Sequence, residues 1–288
     1  MAEQAEAALQ IRACRPEDWP QLRSLHPTAE RLRGVTRHGG ALWVAERGAQ
    51  ILAYAAVAPM PGLPGMRDLF GYVAPEQRRQ GIGSALLRYC QEQMRQADAR
   101  QLSHTVDSPD DPAAHFLRSH GFFFEHEEWI LERRLDDLPP VAPSPTCRVE
   151  QLPRPEAVAA FLRLYEDSFA GLPWYQPYTE GEVIGELEQG GELAFLHYAG
   201  SPVGFLLSRV ERESDTVIGI IEPLAVSGDY QRRGLGRLLL RTGLRRLVER
   251  GAARARVGLW RANEAALSLY RSEGFRQVAE RYYLACDL

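Results

Sequence analysis

The sequence contains no lysine, so each of its 34 basic residues is an arginine. A P-loop is therefore excluded, because its pattern ends in lysine followed by serine or threonine. Any mechanism that forms a Schiff base on lysine is excluded as well. A GC-rich genome, which favours arginine codons, accounts for this bias.

Cysteines and long apolar runs are also scarce. The four cysteines are scattered, without a Cys-x-x-Cys pair, which is typical of a reduced cytoplasmic protein and not of a disulfide scaffold. We predict no metal site. No apolar run approaches the ~20 residues of a membrane span, and the acidic start of the sequence lacks a signal-peptide pattern. We expect a cytoplasmic protein that does not bind membranes.

The charge is small overall but unevenly distributed. The net charge of −4 argues against a protein that binds polyanions along its whole length. Residues 148–222 carry 5 arginines and 13 acids, whereas residues 223–288 carry 13 arginines and 6 acids. We expect part of the arginine-rich segment to meet an anionic ligand, although a solvated face is the common alternative. Aromatic residues are not interleaved on its helix, which argues against nucleic-acid binding.

One pattern occurs twice, 153 positions apart. The first turn, Arg78–Gly83, reads RRQGIG, and the second turn, Gln231–Gly236, reads QRRGLG. Forty residues after the first glycine of each turn comes a Gly-Phe pair, at Gly121 and Gly274. Two copies in the same internal register indicate two related domains.

The order of predicted elements is similar in both halves of the chain. Four prolines in 136–146 indicate a stiff linker, so we place the domains at 1–138 and 147–288 with a linker at 139–146. Helices alternate with strands on both sides, which predicts two mixed α/β domains.

Each turn follows a predicted strand and opens an amphipathic helix. A helix start has unpaired N–H groups and a partial positive charge, and glycine lets a phosphate approach the backbone. Arg232, Arg233 and Arg237 add full charges. The sequence therefore predicts a pyrophosphate site. A dinucleotide-binding fingerprint does not fit, because leucine (Leu86, Leu239) stands where a third small residue is required.

The pattern [Q/R]-x-x-G-x-[G/A] after a strand resembles the acetyl-coenzyme A signature of the GNAT superfamily of N-acetyltransferases. Asn263, Tyr270 and the Gly274-Phe275 pair continue this resemblance downstream of the second turn. The resemblance covers nearly the whole chain as two tandem copies. It implies two GNAT-like domains, each with a mostly antiparallel, splayed central sheet flanked by helices, and acetyl-CoA as co-substrate.

The resemblance also assigns roles to residues. In this family a bulged, splayed strand precedes the turn and receives the pantetheine arm, and Glu222 on this strand is our candidate general base, directly or through a water. Tyr270 would protonate or hydrogen-bond the departing thiolate. The implied cofactor-binding residues of the second copy are Leu224, Ala225, Val226, Gln231, Arg232, Arg233, Gly234, Leu235, Gly236, Arg237 and Asn263. Those of the first copy are Tyr72, Val73, Arg78, Arg79, Gln80, Gly81, Ile82, Gly83 and Ser84.

Each assigned role has a simpler alternative. Tyr270 would be a helix residue packed on the sheet, and Asn263 only the N-cap of its helix. Glu222 would be an ion-pair partner or face solvent.

The two copies differ at the polar positions. At the offset of 153, Glu222 falls on Leu69, Asn263 on Asp110 and Tyr270 on Leu117. We therefore predict catalysis in residues 147–288, with the first domain binding CoA or serving a structural role. Rescue of chemistry in the first domain by Tyr72, His115 or His120 is the less favoured alternative.

The acceptor side of the second domain is acidic. Five glutamates cluster in 180–192, namely Glu180, Glu182, Glu186, Glu188 and Glu192. An acidic wall attracts a cation, so we hypothesise a small cationic amine such as an amino-sugar, a polyamine or an amino-acid derivative. A protein N-terminus remains open as acceptor, and a non-catalytic acetyl-CoA-binding sensor or scaffold is the alternative function. The sequence leaves a monomer, with the two domains as a pseudo-dimer, and a homodimer equally open.

Overall fold

The computed structural model describes residues 8–37, 39–141, 145–173 and 175–288. Part of the predicted linker, residues 142–144, lies outside the described residues, as does Trp174. The described residues form two compact units. The first unit comprises residues up to 125 together with 282–288, and the second unit comprises residues 126–281.

Up to residue 134, the described residues form six strands and four helices. They are β1 Leu9–Ala13, α1 Trp19–Leu25, α2 Arg33–Arg37, β2 Ala41–Arg47, β3 Gln50–Pro59, β4 Met66–Val73, α3 Ile82–Gln96, β5 Gln101–Val106, α4 Pro112–Arg118 and β6 Phe123–Arg134. Short 3₁₀ turns lie at 16–18, 27–32 and 75–77. The first unit is a six-stranded sheet in the order β1, β2, β3, β4, β5 and residues 282–287 of the last strand of the chain.

The remaining elements repeat this sequence of strands and helices. They are β7 Cys147–Glu150, α5 Arg154–Phe169, α6 Glu180–Glu188, β8 Glu192–Tyr198, β9 Ser201–Glu213, β10 Thr216–Val226, α7 Leu235–Glu249, β11 Arg254–Trp260, α8 Glu264–Ser272 and β12 Arg276–Asp287. A 3₁₀ turn lies at 228–230. The sheet of the second unit runs β7, β8, β9, β10, β11 and residues 128–134 of β6. The mixed α/β class is confirmed.

The compact units are not the two sequence repeats. Most of β6 belongs to the second unit although it precedes the linker, and the end of β12 belongs to the first unit. The division at 138 and 147 therefore remains a prediction about the repeats, whereas each folded sheet takes its last strand from the other repeat.

Each sheet is mostly antiparallel with one parallel pair. In the second unit β10 and β11 pair only through residues 218–220 and 254–256, so the later residues of β10 lie beyond the last paired position. In the first unit β4 and β5 pair through 66–68 and 101–103. This short parallel contact leaves an opening between the two strands of each pair, directly before the turn.

Helices cover both faces of each sheet. In α7 the residues facing the sheet recur at helical spacing, and Leu239, Leu240, Leu244 and Leu247 are fully buried. Burial of one such leucine stabilises the fold by roughly 2 kcal/mol. A second core under α5 and α6 is rich in aromatic rings, with Phe161 and Phe205 in T-shaped contact. No helix among the described residues is both long and apolar enough to cross a membrane.

Candidate active site

The two turns have the same backbone. Arg79 and Arg232 have φ of 62° and 58°, and Gly81 and Gly234 have φ of 82° and 78°. A left-handed arginine is strained, because its Cβ crowds the backbone. The same unusual conformation at both copies shows that the turn is a defined structure and not a flexible loop.

Side chains close both turns in the same way. Arg78 Nε donates to the Val73 carbonyl at 3.0 Å, and Gln231 Nε2 donates to the Val226 carbonyl at 2.9 Å. Gln80 donates to the Glu76 carbonyl at 3.3 Å, while Arg233 donates to the Asp229 carbonyl at 2.8 Å. These four side chains hold the turns, and their contact with the cofactor stays a prediction.

Each turn ends in a helix start that suits a phosphate. Gly81 and Gly234 are the N-caps of α3 and α7, and no described side chain caps either helix. A Cβ at either glycine would meet nothing within 4 Å, so the approach to the free N–H groups is open. These features fit the diphosphate of CoA.

The second glycine of each turn lies near a neighbouring side chain. A Cβ at Gly236 would lie 3.6 Å from Leu269, and one at Gly83 would lie 3.4 Å from Phe116, which are ordinary van der Waals distances. Cofactor binding by Gly83 and Gly236 stays a prediction.

The predicted cofactor strand has its bulge in the second unit. Between Ile221 and Leu224 the pairing of β10 with β9 shifts by one residue, which places Glu222 and Pro223 in the bulge; their peptide bond is cis. Leu224, Ala225 and Val226 pair again with β9. In the first unit β4 pairs with β3 without a shift from Arg67 to Val73.

The bulge directs Glu222 toward β11. Its Oε1 lies 3.5 Å from the position of a Cβ at Gly258, so the carboxylate occupies the space left by the missing side chain. The residue is exposed by its solvent-accessible area, although many protein atoms lie around its carboxyl group. Burial, and next the charge of Glu128, raise the pKa of Glu222 to about 7. A carboxylate with this pKa can accept a proton at neutral pH.

Tyr270 is buried on α8, with its ring 5.3 Å from that of Phe275. Within the described residues its hydroxyl makes no hydrogen bond. Burial, and next the charge of Glu222, raise its pKa, so the hydroxyl keeps its proton. The ring is thus packed in the core, and a role of the hydroxyl in catalysis stays a prediction.

Asn263 is the N-cap of α8, where its Oδ1 accepts from the Ala266 N–H at 3.1 Å. This cap uses the side-chain oxygen of Asn263, and its amide hydrogens take no part in the cap. In the first unit the cap is Asp111, which accepts from the Ala113 N–H, so the structural counterpart of Asn263 is Asp111 and not Asp110. The helices α4 and α8 differ in length by two residues, so the fixed offset of 153 could not align both of their ends.

Arg237 pairs with the buried carboxylate of Glu273 at 2.9 Å and donates to Ser272. Within the part of the chain that the structure describes, Arg232 and Arg233 form no ion pair, unlike Arg237. Arg233, Gly234 and Arg237 line an open pocket of about 470 Å³ beside the helix start.

Within the acidic cluster, Glu192 pairs with the arginine-rich segment, and the acidic wall stays a hypothesis. Glu192 pairs with Arg246 at 2.9 Å, and Arg256 pairs with Glu213. Glu182 forms the capping box of α6 with Thr179. Among the five predicted glutamates, the charge of Glu186 contributes to the raised pKa of Glu222. Ion pairs between segments that are distant in the sequence could not be predicted from local charge counts.

In the first unit, buried apolar residues stand at the positions that correspond to Glu222 and Tyr270. Leu69 stands at the position of Glu222 and Leu117 at that of Tyr270. Tyr72, at the position of Ala225, stacks on His26 with centroids 4.2 Å apart. Ser84 Oγ lies 2.9 Å from His120 Nε2, so His120 is held at the helix start, and His115 is exposed on α4.

Sequence comparison agrees with this geometry. The chain matches the Acetyltransferase (GNAT) family over residues 8–122 and 150–275. It therefore belongs to the GNAT acetyltransferase family and is an acetyl-CoA-dependent N-acetyltransferase, as the turns predicted. The sensor or scaffold alternative is not favoured by this membership.

Relatives resemble the chain over most of its length. The mycothiol acetyltransferase of Mycolicibacterium smegmatis is 30% identical over 236 residues, 78% of this chain and 77% of that protein. A GCN5-related N-acetyltransferase from Sphaerobacter thermophilus has the same fold, with a TM-score of 0.70 and 18% identity over 97% of this chain and 95% of that one. A tandem GNAT protein from the clavulanic acid biosynthesis pathway gives a TM-score of 0.69 and 16% identity over 97% of this chain and 98% of that one. The tandem arrangement is thereby confirmed.

Proposed function

We propose that the second unit transfers the acetyl group of acetyl-CoA to a primary amine, with Glu222 as general base. The observation that carries this proposal is the position of Glu222, which the β10 bulge directs over Gly258 into the opening between β10 and β11. When bound, acetyl-CoA supplies the acetyl group. Glu222 takes a proton from the acceptor ammonium, which leaves the amine lone pair free to attack.

Tyr270 is the proton donor in this proposal. Its hydroxyl keeps its proton and lacks a partner among the described residues, so it can donate to a sulfur that gains negative charge. The N–H groups at the start of α7 and the backbone of Leu224, Ala225 and Val226 would hold the diphosphate and the pantetheine arm. Asn263 would donate to the same ligand through its amide hydrogens.

The first unit binds CoA or is structural in this proposal. Its turn matches the second turn in backbone and closing hydrogen bonds, which supports anion binding at Arg79, Gly81 and Ser84. Leu69 and Leu117 offer no group for proton transfer, and the Tyr72–His26 stack fills the position where the second unit has alanine.

The acceptor is a small cationic amine in this proposal. Several relatives are mycothiol acetyltransferases, so the unacetylated precursor of mycothiol is the first candidate. Glu222 and Glu186 supply negative charge for an ammonium group. A protein N-terminus is the second acceptor class to test.

Calorimetric titration of acetyl-CoA tests the cofactor part. Gly234→Glu and Gly81→Glu are matched variants, since both glycines have the same φ and open surroundings. Loss of binding and of CoA release in Gly234→Glu, with catalysis retained in Gly81→Glu, is the expected result. Catalysis lost only in Gly81→Glu would contradict the proposal.

A further inference from the structure

The second unit takes β6 from the first sequence repeat. Residues 128–134 of β6 pair antiparallel with β11, in a register that places Glu128 opposite Trp260 and Ile130 opposite Gly258. A strand that precedes the linker thus lies beside the strand that faces Glu222.

The register determines which residues of β6 share a face with Glu222. A Cβ at Gly258 would lie 3.5 Å from Glu222 Oε1 and 3.6 Å from Ile130 Cδ1, so these residues meet on one face. Because side chains alternate along a strand, Glu128 lies on this face too, two residues from Ile130.

The neighbouring rings confirm this alternation. His126 lies two residues before Glu128 on β6, and Trp260 lies two residues after Gly258 on β11. Their rings stack with centroids 3.8 Å apart and an interplanar angle of 10°. Glu128 is therefore flanked by this aromatic stack on one side and by Ile130 on the other.

The surroundings of Glu222 are strongly polar. Glu222 interacts electrostatically with titratable or charged groups from seven elements or segments. They are Glu128 on β6, Arg209 on β9, Arg281 on β12, Glu186 on α6, Tyr165 on α5, Tyr178 before α6 and Tyr270 on α8. Arg209 is itself paired with Glu211 at 2.9 Å.

We propose that Glu128 is a second acidic group of the acceptor site, which binds the ammonium of the acceptor beside Glu222 and so selects cationic amines. This inference rests on the proposed function of Glu222. One hydrogen of the ammonium group forms a hydrogen bond with Glu128. A second hydrogen is transferred as a proton to Glu222, which yields a neutral amine and a protonated Glu222. The charge of Glu128 also favours proton uptake by Glu222.

Glu128→Gln tests this inference, with Glu127→Gln as its matched control. Glu127 is the adjacent residue, lies on the opposite face and pairs with Arg261 at 2.9 Å. The probes are spermidine, glucosamine and L-alaninamide, and the readouts are calorimetric binding of the amine to the CoA-bound protein, the KM values and the pH profile.

Glu128→Gln is expected to weaken amine binding and raise the amine KM about tenfold, as loss of one hydrogen bond to a charged group does. The KM for acetyl-CoA stays unchanged, and the acidic limb of kcat/KM moves to lower pH. Amine binding that is equal in Glu128→Gln and Glu127→Gln, or an unmoved acidic limb, would overturn the inference. Glu128-dependent amine binding without any acetylation by the wild type would support it and overturn the proposed function alone.

Discussion

The guanidinium of Arg241 holds both carboxylate oxygens of Glu273, with Nε–Oε2 at 2.7 Å and Nη2–Oε1 at 3.0 Å. The Glu273 side chain is only 1% exposed, and Arg237 also pairs with it. This pair ties the start of α7 to the end of α8.

Removal of the Glu273 charge would leave Arg241 without its partner. We expect Glu273→Gln to lower the free energy of unfolding by about 3 kcal/mol, as broken buried ion pairs do. Chemical denaturation measures this loss, with Glu249→Gln at an exposed position of α7 as control. Equal midpoints for the two variants would show that the pair contributes little.

The pKa of Glu222 predicts the pH dependence of activity. The base must be unprotonated to act, and its pKa is about 7 in the folded protein. We therefore expect kcat/KM to rise with pH through an acidic limb near 7, and Glu222→Gln to lower kcat by roughly 10²–10⁴-fold. A wild-type profile that is flat between pH 5 and 8 would argue against Glu222 as the base.

The same pKa has an opposite consequence for stability. Because the folded pKa lies above the ordinary value of 4.5, the folded state binds the proton more tightly than the unfolded state. Stability is therefore full at low pH and is lost as pH rises from 4.5 through about 7. We expect Glu222→Gln to raise the melting temperature at pH 8 and leave it nearly unchanged at pH 4. Calorimetric scans at both pH values test this, and a lower melting temperature at pH 8 would refute it.

Gly258 makes room for the Glu222 carboxylate. An alanine there would only touch Oε1 at 3.5 Å, whereas a valine would displace it. We expect Gly258→Val to lower kcat on the order of a hundredfold, as a 1 Å misplacement does, and Gly258→Ala to stay close to wild type. Steady-state kinetics measures both, with acetyl-CoA affinity as the check on folding. Comparable losses in the two variants would point to strand damage.

The hydroxyl and the ring of Tyr270 have separable functions. Tyr270→Phe removes the proton donor but keeps the contact with Phe275, so we expect a lower kcat at unchanged stability and acetyl-CoA affinity. Tyr270→Leu, which copies Leu117 of the first unit, should lose both kcat and stability. Kinetics together with thermal unfolding separates the two effects. Full activity of Tyr270→Phe would remove Tyr270 from the proposed mechanism.

Local features of the site followed from the sequence. The spacing of 153 identified two turns whose positive φ values and closing hydrogen bonds agree, because such turns depend on neighbouring residues. The strands and amphipathic helices were found for the same reason. The 3₁₀ turn at 27–32 and α2 could not be predicted, since that stretch of the sequence has no clear periodicity.

Long-range features did not follow from the sequence. The pairing of Glu192 with Arg246 joins residues 54 positions apart, so this ion pair could not be predicted from local charge counts. Glu128 was assigned to the first domain because it precedes the prolines. Only the pairing of β6 with β11 brings it to Glu222.

The exchange of last strands makes the two repeats mutually dependent. A protein cut at the proline-rich segment would leave each sheet without its sixth strand and expose the backbone of β5 or β11. The proposed acetyltransferase site would also lose Glu128 and the stacking partner of Trp260. If catalysis lies where we propose, the first repeat supplies backbone and charge to the site, and the smallest active piece of this chain spans both copies.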